Sequence, residues 1–106
     1  LNDFTAKCKD FSGSDAEFIY MDEKFLLDEN VVPFRDLTLW LPEEDAGVNN
    51  IDITKAKKAG LTIRPLEDTF KDTIQYDLSR GPDFKLRTGL SEEKESELLE
   101  KWNKVK

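Results

Sequence analysis

The chain has 106 residues, of which 16 are lysine or arginine and 23 are aspartate or glutamate, so its net charge is −7. This length predicts one small domain, and the negative surface disfavours nucleic acid and membranes as partners. No apolar run approaches the roughly 18 residues that a membrane helix needs, and no leader peptide is visible. The single cysteine suits a reducing cytoplasm, where we expect the protein to be.

The residue inventory also limits the chemistry. The chain has no histidine, which removes the most frequent general base near neutral pH and the commonest metal ligand. Cys8 is the only cysteine, so neither an internal disulfide nor a clustered thiolate metal site is possible. Because Met21 is the only methionine and the chain begins at Leu1, we expect it to be a fragment of a longer protein.

The first third of the chain predicts two helices and a strand. Residues 17–20 are short, aromatic and β-branched, which indicates a strand. Asp22 predicts the N-cap of a helix of about seven residues that ends at Asn30. Gly13 stops the helix before the strand. That first helix carries an apolar stripe at helical spacing, Leu1, Phe4, Cys8 and Phe11.

The middle of the chain predicts an irregular segment, a helix, a strand and a longer helix. Residues 31–41 contain many apolar residues but have no clear period, which predicts an irregular segment. Asp52 predicts a helix N-cap, and Gly60 stands where a left-handed residue ends a helix. Residues 61–63 predict the second strand, and Pro65 fits the first turn of the next helix. The predicted inner face of that helix is Leu66, Phe70, Ile74 and Leu78.

The last predicted helix has the clearest start. Ser91 is its predicted N-cap, followed by Glu92 and Glu93, which the positive end of the helix dipole favours. Its predicted inner face is Leu98, Trp102 and Val105. Three ion pairs with i, i+4 spacing are expected on outer helix faces: Glu67–Lys71, Glu97–Lys101 and Glu100–Lys104.

Together these elements predict an α+β fold. We expect residues 1–106 to form a single small α/β lobe, with about five helices packed on a short two-stranded sheet. The two strands are far apart in sequence and separated by helices, so a parallel pairing is the simpler topology.

Two charged patterns are weighed against simpler explanations. Tyr20 and Lys24 form a Tyr-x-x-x-Lys string, the catalytic pair of short-chain dehydrogenases, but a predicted turn between them separates the two side chains, which favours coincidence. Glu43, Glu44 and Asp45 offer three carboxylates to a hard cation. The alternating spacing of a calcium loop is missing, so a solvated charged loop is favoured.

Two larger side chains are also possible site residues. Arg64 ends a predicted strand and has the geometry to hold an anionic group, while a surface ion pair is the alternative. Trp40 has the size to wall a pocket, while core packing is the alternative. The glycines form no phosphate-binding loop, so the sequence predicts no catalytic, cofactor-binding or metal-binding residue.

Three consecutive segments form an ordered set of motifs. Residues 52–56 are Asp-Ile-Thr-Lys-Ala, residues 61–65 are Leu-Thr-Ile-Arg-Pro, and residues 66–68 begin a helix that ends near Tyr76. This order resembles the C-terminal end of the NAD-dependent epimerase/dehydratase family, the extended short-chain dehydrogenase/reductase proteins. The flanking segments are similar to one bacterial reductase-like branch: residues 12–27, 37–42 and 89–102.

This resemblance implies that the chain is a C-terminal substrate-binding lobe without its N-terminal Rossmann domain. In the family, that domain carries the glycine-rich NAD(P) loop and the Ser/Tyr/Lys catalytic set. The resemblance therefore implies no cofactor in this chain and NAD or NADP in the parent, an oxidoreductase or isomerase. The implied partners are the Rossmann domain of the same parent chain and a small-molecule substrate.

The lobe is expected to form one wall of a substrate cleft from residues 31–50. Trp40, Asp45 and Arg64 are its candidate substrate-binding residues. The family's sugar-nucleotide epimerases carry an arginine and a Gly-Asp pair just before the Asp-x-Ser-Lys helix, whereas residues 40–47 here contain no arginine and hold three adjacent acids, Glu43, Glu44 and Asp45. Acids facing a diphosphate would cost several kcal/mol in a desolvated site, which disfavours a nucleotide-sugar substrate. The alternative function is a free-standing acidic protein-interaction module, which would expose an apolar patch.

Overall fold

A computed structural model describes residues 2–106, so the predicted contribution of Leu1 to the first helix lies outside the described residues. The chain is 54% helical. A 3-10 helix covers Glu43–Asn49, between the second and third α-helices. The five α-helices are α1 (Asn2–Ser12), α2 (Glu23–Asp28), α3 (Thr54–Lys58), α4 (Leu66–Ser79) and α5 (Glu92–Val105).

The chain divides into two compact units, each built from separate stretches of sequence. The first unit comprises Leu1–Ala16 and Val48–Lys85, and contains α1, α3 and α4. The second unit comprises Glu17–Gly47 and Leu86–Lys106, and contains α2 and α5. None of the helices within residues 2–106 is both long enough and apolar enough to cross a membrane.

The second unit has a hydrophobic core. Leu26 of α2, Leu98 of α5 and Val31 between them are buried, the last two with only 2% of their surface exposed. Burying a side chain of this size stabilises a fold by roughly 1.5–3 kcal/mol. Five partly buried side chains pack around these three: Met21, Phe25, Leu37, Trp40 and Leu90.

An aromatic contact and an ion pair join α2 to α5 beside this core. The ring centroids of Phe25 and Trp102 lie 5.0 Å apart, and the ring planes are tilted by 60°. In this arrangement the edge of one ring contacts the face of the other, which is favourable for aromatic pairs. Lys101 Nζ donates to Glu29 Oε2 at 2.5 Å and lies 2.7 Å from Glu97 Oε1. The Glu97–Lys101 pair confirms the sequence prediction, whereas Glu29 comes from a distant part of the chain.

The first unit is held by a layer of aromatic contacts. Phe70 of α4 packs against Phe4 and Phe11 of α1, with ring centroids 5.7 and 5.4 Å apart. Among the described residues of this unit, none is buried. The predicted inner face of α4 is therefore only half right, because Phe70 and Ile74 are partly buried whereas Leu78 is 75% exposed. Leu66 is also classed as exposed.

An arginine fixes the turn that follows α4. The guanidinium of Arg80 lies 4.2 Å from the centroid of the Phe84 ring and 5.1 Å from that of Tyr76. It also pairs with Asp77. Cation–π contacts of this kind contribute about 0.5–1 kcal/mol at exposed sites and more where the cation is desolvated, so Arg80 ties residues 81–84 to the end of the helix.

Two helices end with the same hydrogen-bonded turn. After α3, Gly60 has φ 108° and the N–H of Leu61 donates to Ala56 at 3.0 Å. After α2, Asn30 has φ 61° and the N–H of Val31 donates to Leu26 at 2.9 Å. Both are Schellman turns, which satisfy carbonyls at the helix end and need a residue that tolerates positive φ. The predicted stops at both positions are confirmed.

Helix starts follow the predictions less closely. Ser91 Oγ accepts a hydrogen bond from the N–H of Lys94 at 3.1 Å, as predicted for the N-cap of α5. The predicted cap at Asp52 is one residue too early, because Ile53 occupies that position. Asp52 Oδ1 instead accepts from the N–H of Thr54 at 2.9 Å and from its hydroxyl at 2.6 Å. These two bonds lower the pKa of Asp52.

The predicted α+β fold is wrong, because no strand forms within residues 2–106. Residues 17–20 and 61–63, the two predicted strands, lie in different units. The Schellman turn already uses the N–H of Leu61, and two short strands alone do not form a stable sheet. Only an isolated parallel bridge joins Pro33 to Leu37. Within their own units, α1 packs on α4, and α2 contacts α5, without a sheet.

Candidate functional site

Trp40, the first predicted substrate contact, belongs to the turn-rich segment of residues 31–41 in the second unit. Its N–H donates to the carbonyl of Leu37 at 3.0 Å, and its own carbonyl accepts from the N–H of Phe34 at 3.4 Å. The side chain is partly buried against the core formed by Leu26, Val31 and Leu98. Trp40 therefore packs against the core, which is the alternative that the sequence offered. The part of its side chain that stays accessible is the part that a ligand can contact.

The backbone of this segment is strained at one residue. Phe34 has φ 62°, a left-handed conformation that is rare for a bulky side chain. The segment is held there by Asp36, whose carboxylate accepts the N–H of Val32 at 2.8 Å and the Nε–H of Arg35 at 2.8 Å. The bond from Arg35, together with the bond from the backbone of Val32, lowers the pKa of Asp36. This carboxylate therefore stays charged and closes the turn.

Asp45, the second predicted contact, lies in the 3-10 helix Glu43–Asn49 of the chain. Its side chain is exposed, like those of Glu43 and Glu44 beside it. Its N–H donates to the carbonyl of Pro42 at 2.9 Å, and the N–H of Glu43 donates to Glu23 Oε2 at 2.8 Å. The carboxylate of Glu23 therefore accepts a hydrogen bond from the first N–H of the 3-10 helix, close to the three acids of that helix. Residues 2–106 contain no group of three side chains arranged to hold a metal ion.

Arg64, the third predicted contact, lies in the first unit just before α4. Its Nη2 donates to Asp72 Oδ2 at 2.8 Å, and both side chains are more than half exposed. A surface ion pair of this kind contributes little to stability, about 0–1 kcal/mol. The alternative weighed for Arg64, a surface pair, is the contact that the structure contains. Trp40 and Asp45 belong to one unit and Arg64 to the other, so no single unit brings the three together.

The Tyr-x-x-x-Lys string has no shared helix face. Lys24 lies in the first turn of α2 and pairs with Asp28 on the same helix. Tyr20 lies before Asp22, the residue at the N-cap of that helix. Since the catalytic pair of a dehydrogenase needs both side chains on one helix face, the coincidence favoured by the sequence agrees with this geometry.

A shallow cleft of about 320 Å³ lies in the second unit, where the turn after α2 meets the start of α5. Arg35 and Lys94 are the cations on its wall, and Asp36 is paired with Arg35. Lys94 lies 3.9 Å from Glu97. The sequence alone does not reveal this cleft, because its two walls, residues 30–36 and 89–94, are more than 50 residues apart and no local pattern connects them. Its lining is Asn30, Arg35, Asp36, Gly89, Leu90, Ser91 and Lys94.

A backbone hydrogen bond connects the two walls of the cleft. The N–H of Gly89 donates to the carbonyl of Arg35 at 2.8 Å, which joins the two walls. The hydroxyl of Ser91 is already used as the cap of α5. Each charged side chain in the cleft has an opposite charge beside it, and the other side chains that line it are those of Asn30, Leu90 and Ser91.

Comparisons of the chain with protein-family models, with curated proteins and with solved structures find no match.

Proposed function

We propose that this chain is the substrate-binding C-terminal lobe of an NAD(P)-dependent epimerase, dehydratase or reductase of the extended short-chain dehydrogenase type. In this proposal the lobe forms part of the substrate cleft. An N-terminal Rossmann domain of the same parent chain holds NAD or NADP and the catalytic residues. The parent protein acts in the cytoplasm on a small molecule.

The order of the local structures in residues 52–79 is the main support for this proposal. A short helix, a glycine stop, Pro65 and a long helix follow one another, in the order of the family's motifs. The one difference is residues 61–63, where the family pattern has a strand and this chain has none. Their exposed backbone and side chains are compatible with a partner that is supplied by the rest of a parent protein.

Exposed apolar side chains in the first unit support the same proposal. Ile51 is 74% exposed and Ile63 is 65% exposed, and both flank α3 in the sequence. Where such side chains lie together, the surface is usually covered by another domain or by a separate protein, so these exposures are compatible with this proposal and with the interaction module. Further exposed apolar residues of this unit are Val48, Ile53, Leu61 and Leu78.

The acidic 3-10 helix favours a substrate without a diphosphate. Glu43, Glu44 and Asp45 are exposed beside the segment that contains Trp40. If this segment forms the cleft wall, anionic groups near it would meet three like charges, whereas the edge of Trp40 would contact an apolar or planar group. We therefore propose a substrate that presents an uncharged face to this wall.

The complete coding sequence and its protein test the proposal. We expect the upstream sequence to contain a glycine-rich dinucleotide loop and a Tyr-x-x-x-Lys motif, and the complete protein to bind NAD(P). In that protein, Trp40→Phe should raise KM for the substrate while leaving the dinucleotide affinity unchanged. Asp15→Asn, a change at an exposed acid of the first unit, is the control. An upstream sequence without either motif would contradict the proposal.

The charge distribution favours a second candidate, an acidic interaction module. The second unit contains fourteen acidic and seven basic residues, so its net charge is −7. The first unit contains nine acidic and nine basic residues, so its net charge is zero. The whole excess of charge therefore lies in the unit that has a core. A start codon immediately before Leu1, together with a stable complex between this chain and a basic protein, would favour this candidate over the first.

A further inference from the structure

We draw no further inference here: the strongest candidate, the exposed apolar patch of Ile51, Ile53, Leu61 and Ile63 around α3 in the first unit, carries no inference beyond the proposed function because nothing in the structure shows what covers it.

Discussion

At the scale of single residues, burial separates the side chains that hold the fold from those that do not. Leu98 is one of three buried apolar residues, and it contacts the core from α5. Leu78 was predicted to be equally internal but is 75% exposed. The same apolar residue type therefore occupies two very different environments, which allows a direct comparison.

Leu98→Ala should lower the free energy of unfolding of the second unit by about 2–5 kcal/mol, because it removes buried methyl groups and leaves a cavity. Leu78→Ala is the matched control and should change the stability by less than about 0.5 kcal/mol, as for other surface substitutions. Urea unfolding followed by the helical signal in circular dichroism measures both, because both tryptophans lie in the second unit and their fluorescence would not report on Leu78. Equal effects of the two substitutions would contradict the burial of Leu98 in the core and the exposure of Leu78.

The ion pairs of Lys101 depend on pH in a direction that the structure determines. Hydrogen bonds from Lys101 to Glu29 and Glu97 raise the pKa of this lysine above its ordinary value of 10.5. The bond from Lys101 lowers the pKa of Glu97 below 4.5. The stabilisation by Lys101 is therefore present below about pH 10 and is lost as pH rises through its raised pKa. The stabilisation by Glu97 is present above about pH 5 and is lost as the pH falls through the lowered pKa of this residue.

Lys101→Met should therefore destabilise the chain at pH 7, and this loss should shrink on acidification, as the pH falls through the lowered pKa of Glu97. Lys104→Met is the control, because Lys104 pairs only with Glu100 on the same exposed face of α5. Urea midpoints at pH 3 and pH 7 measure the difference between the two variants. An effect of Lys101→Met that is independent of pH, or no larger than that of the control, would refute the role of these pairs.

At the scale of elements, local signals predicted where helices begin and end. Gly60 and Asn30 end helices because they tolerate the left-handed backbone, and Ser91 begins one because its hydroxyl caps a free N–H. Each signal acts within about five residues, so the sequence alone contains the information. The exception is Asp52, whose carboxylate bonds to Thr54 from one residue before the cap.

Ser91→Ala should cost about 1 kcal/mol of stability, the usual loss for an N-cap residue, by leaving the N–H of Lys94 without its side-chain acceptor. Ser96→Ala, in the exposed middle of the same helix, should be neutral or slightly stabilising because alanine favours helix. Urea unfolding and the helical signal in circular dichroism measure both variants. A loss at Ser96 that matches the loss at Ser91 would mean that the cap does not stabilise α5.

Non-local features escaped prediction for a physical reason. Residues 17–20 and 61–63 have the composition of strands, yet a strand exists only if another segment accepts its backbone bonds, and composition does not say whether one is available. The bond between Lys101 and Glu29 spans 72 residues, and the cleft walls are similarly distant. The positive φ of Phe34 is also invisible in sequence, because its residue type argues against it.

The predicted site residues also depend on parts of the protein that are distant in sequence. The sequence identified Trp40, Asp45 and Arg64 by type and position, and each has the local environment that the simpler alternative described: core packing, a charged surface and an ion pair. A substrate wall depends on what stands opposite, which is a property of the assembled protein. Their role in substrate binding therefore remains a prediction.

At the scale of the whole molecule, the two units differ in how they are stabilised. The second unit has a buried core and carries the net negative charge, whereas the described residues of the first unit contain no buried side chain. Local stability follows buried apolar contacts. The two long helices, α4 and α5, have the same length but should differ in how often their backbone hydrogen bonds open.

Hydrogen exchange should show this difference directly. We expect the amides of α4 to exchange at least about tenfold faster than those of α5, because α1 is the one helix of the described residues that packs against α4, through an aromatic layer. Two-dimensional NMR of the chain at pH 6 measures the rates residue by residue. Within the complete parent protein the proposal adds that α4 becomes as protected as α5. Equal protection in the isolated chain would contradict the assignment of the core to the second unit.

Calorimetric titration of NADH and NADPH into this chain and into the complete parent protein tests whether dinucleotide binding belongs to the Rossmann domain. We expect no saturable binding to the 106-residue chain at dinucleotide concentrations up to about 1 mM, an affinity limit near −4 kcal/mol, and clear binding to the complete protein. Saturable binding to the chain alone, or turnover of any substrate by it, would contradict the division of roles between this lobe and a Rossmann domain.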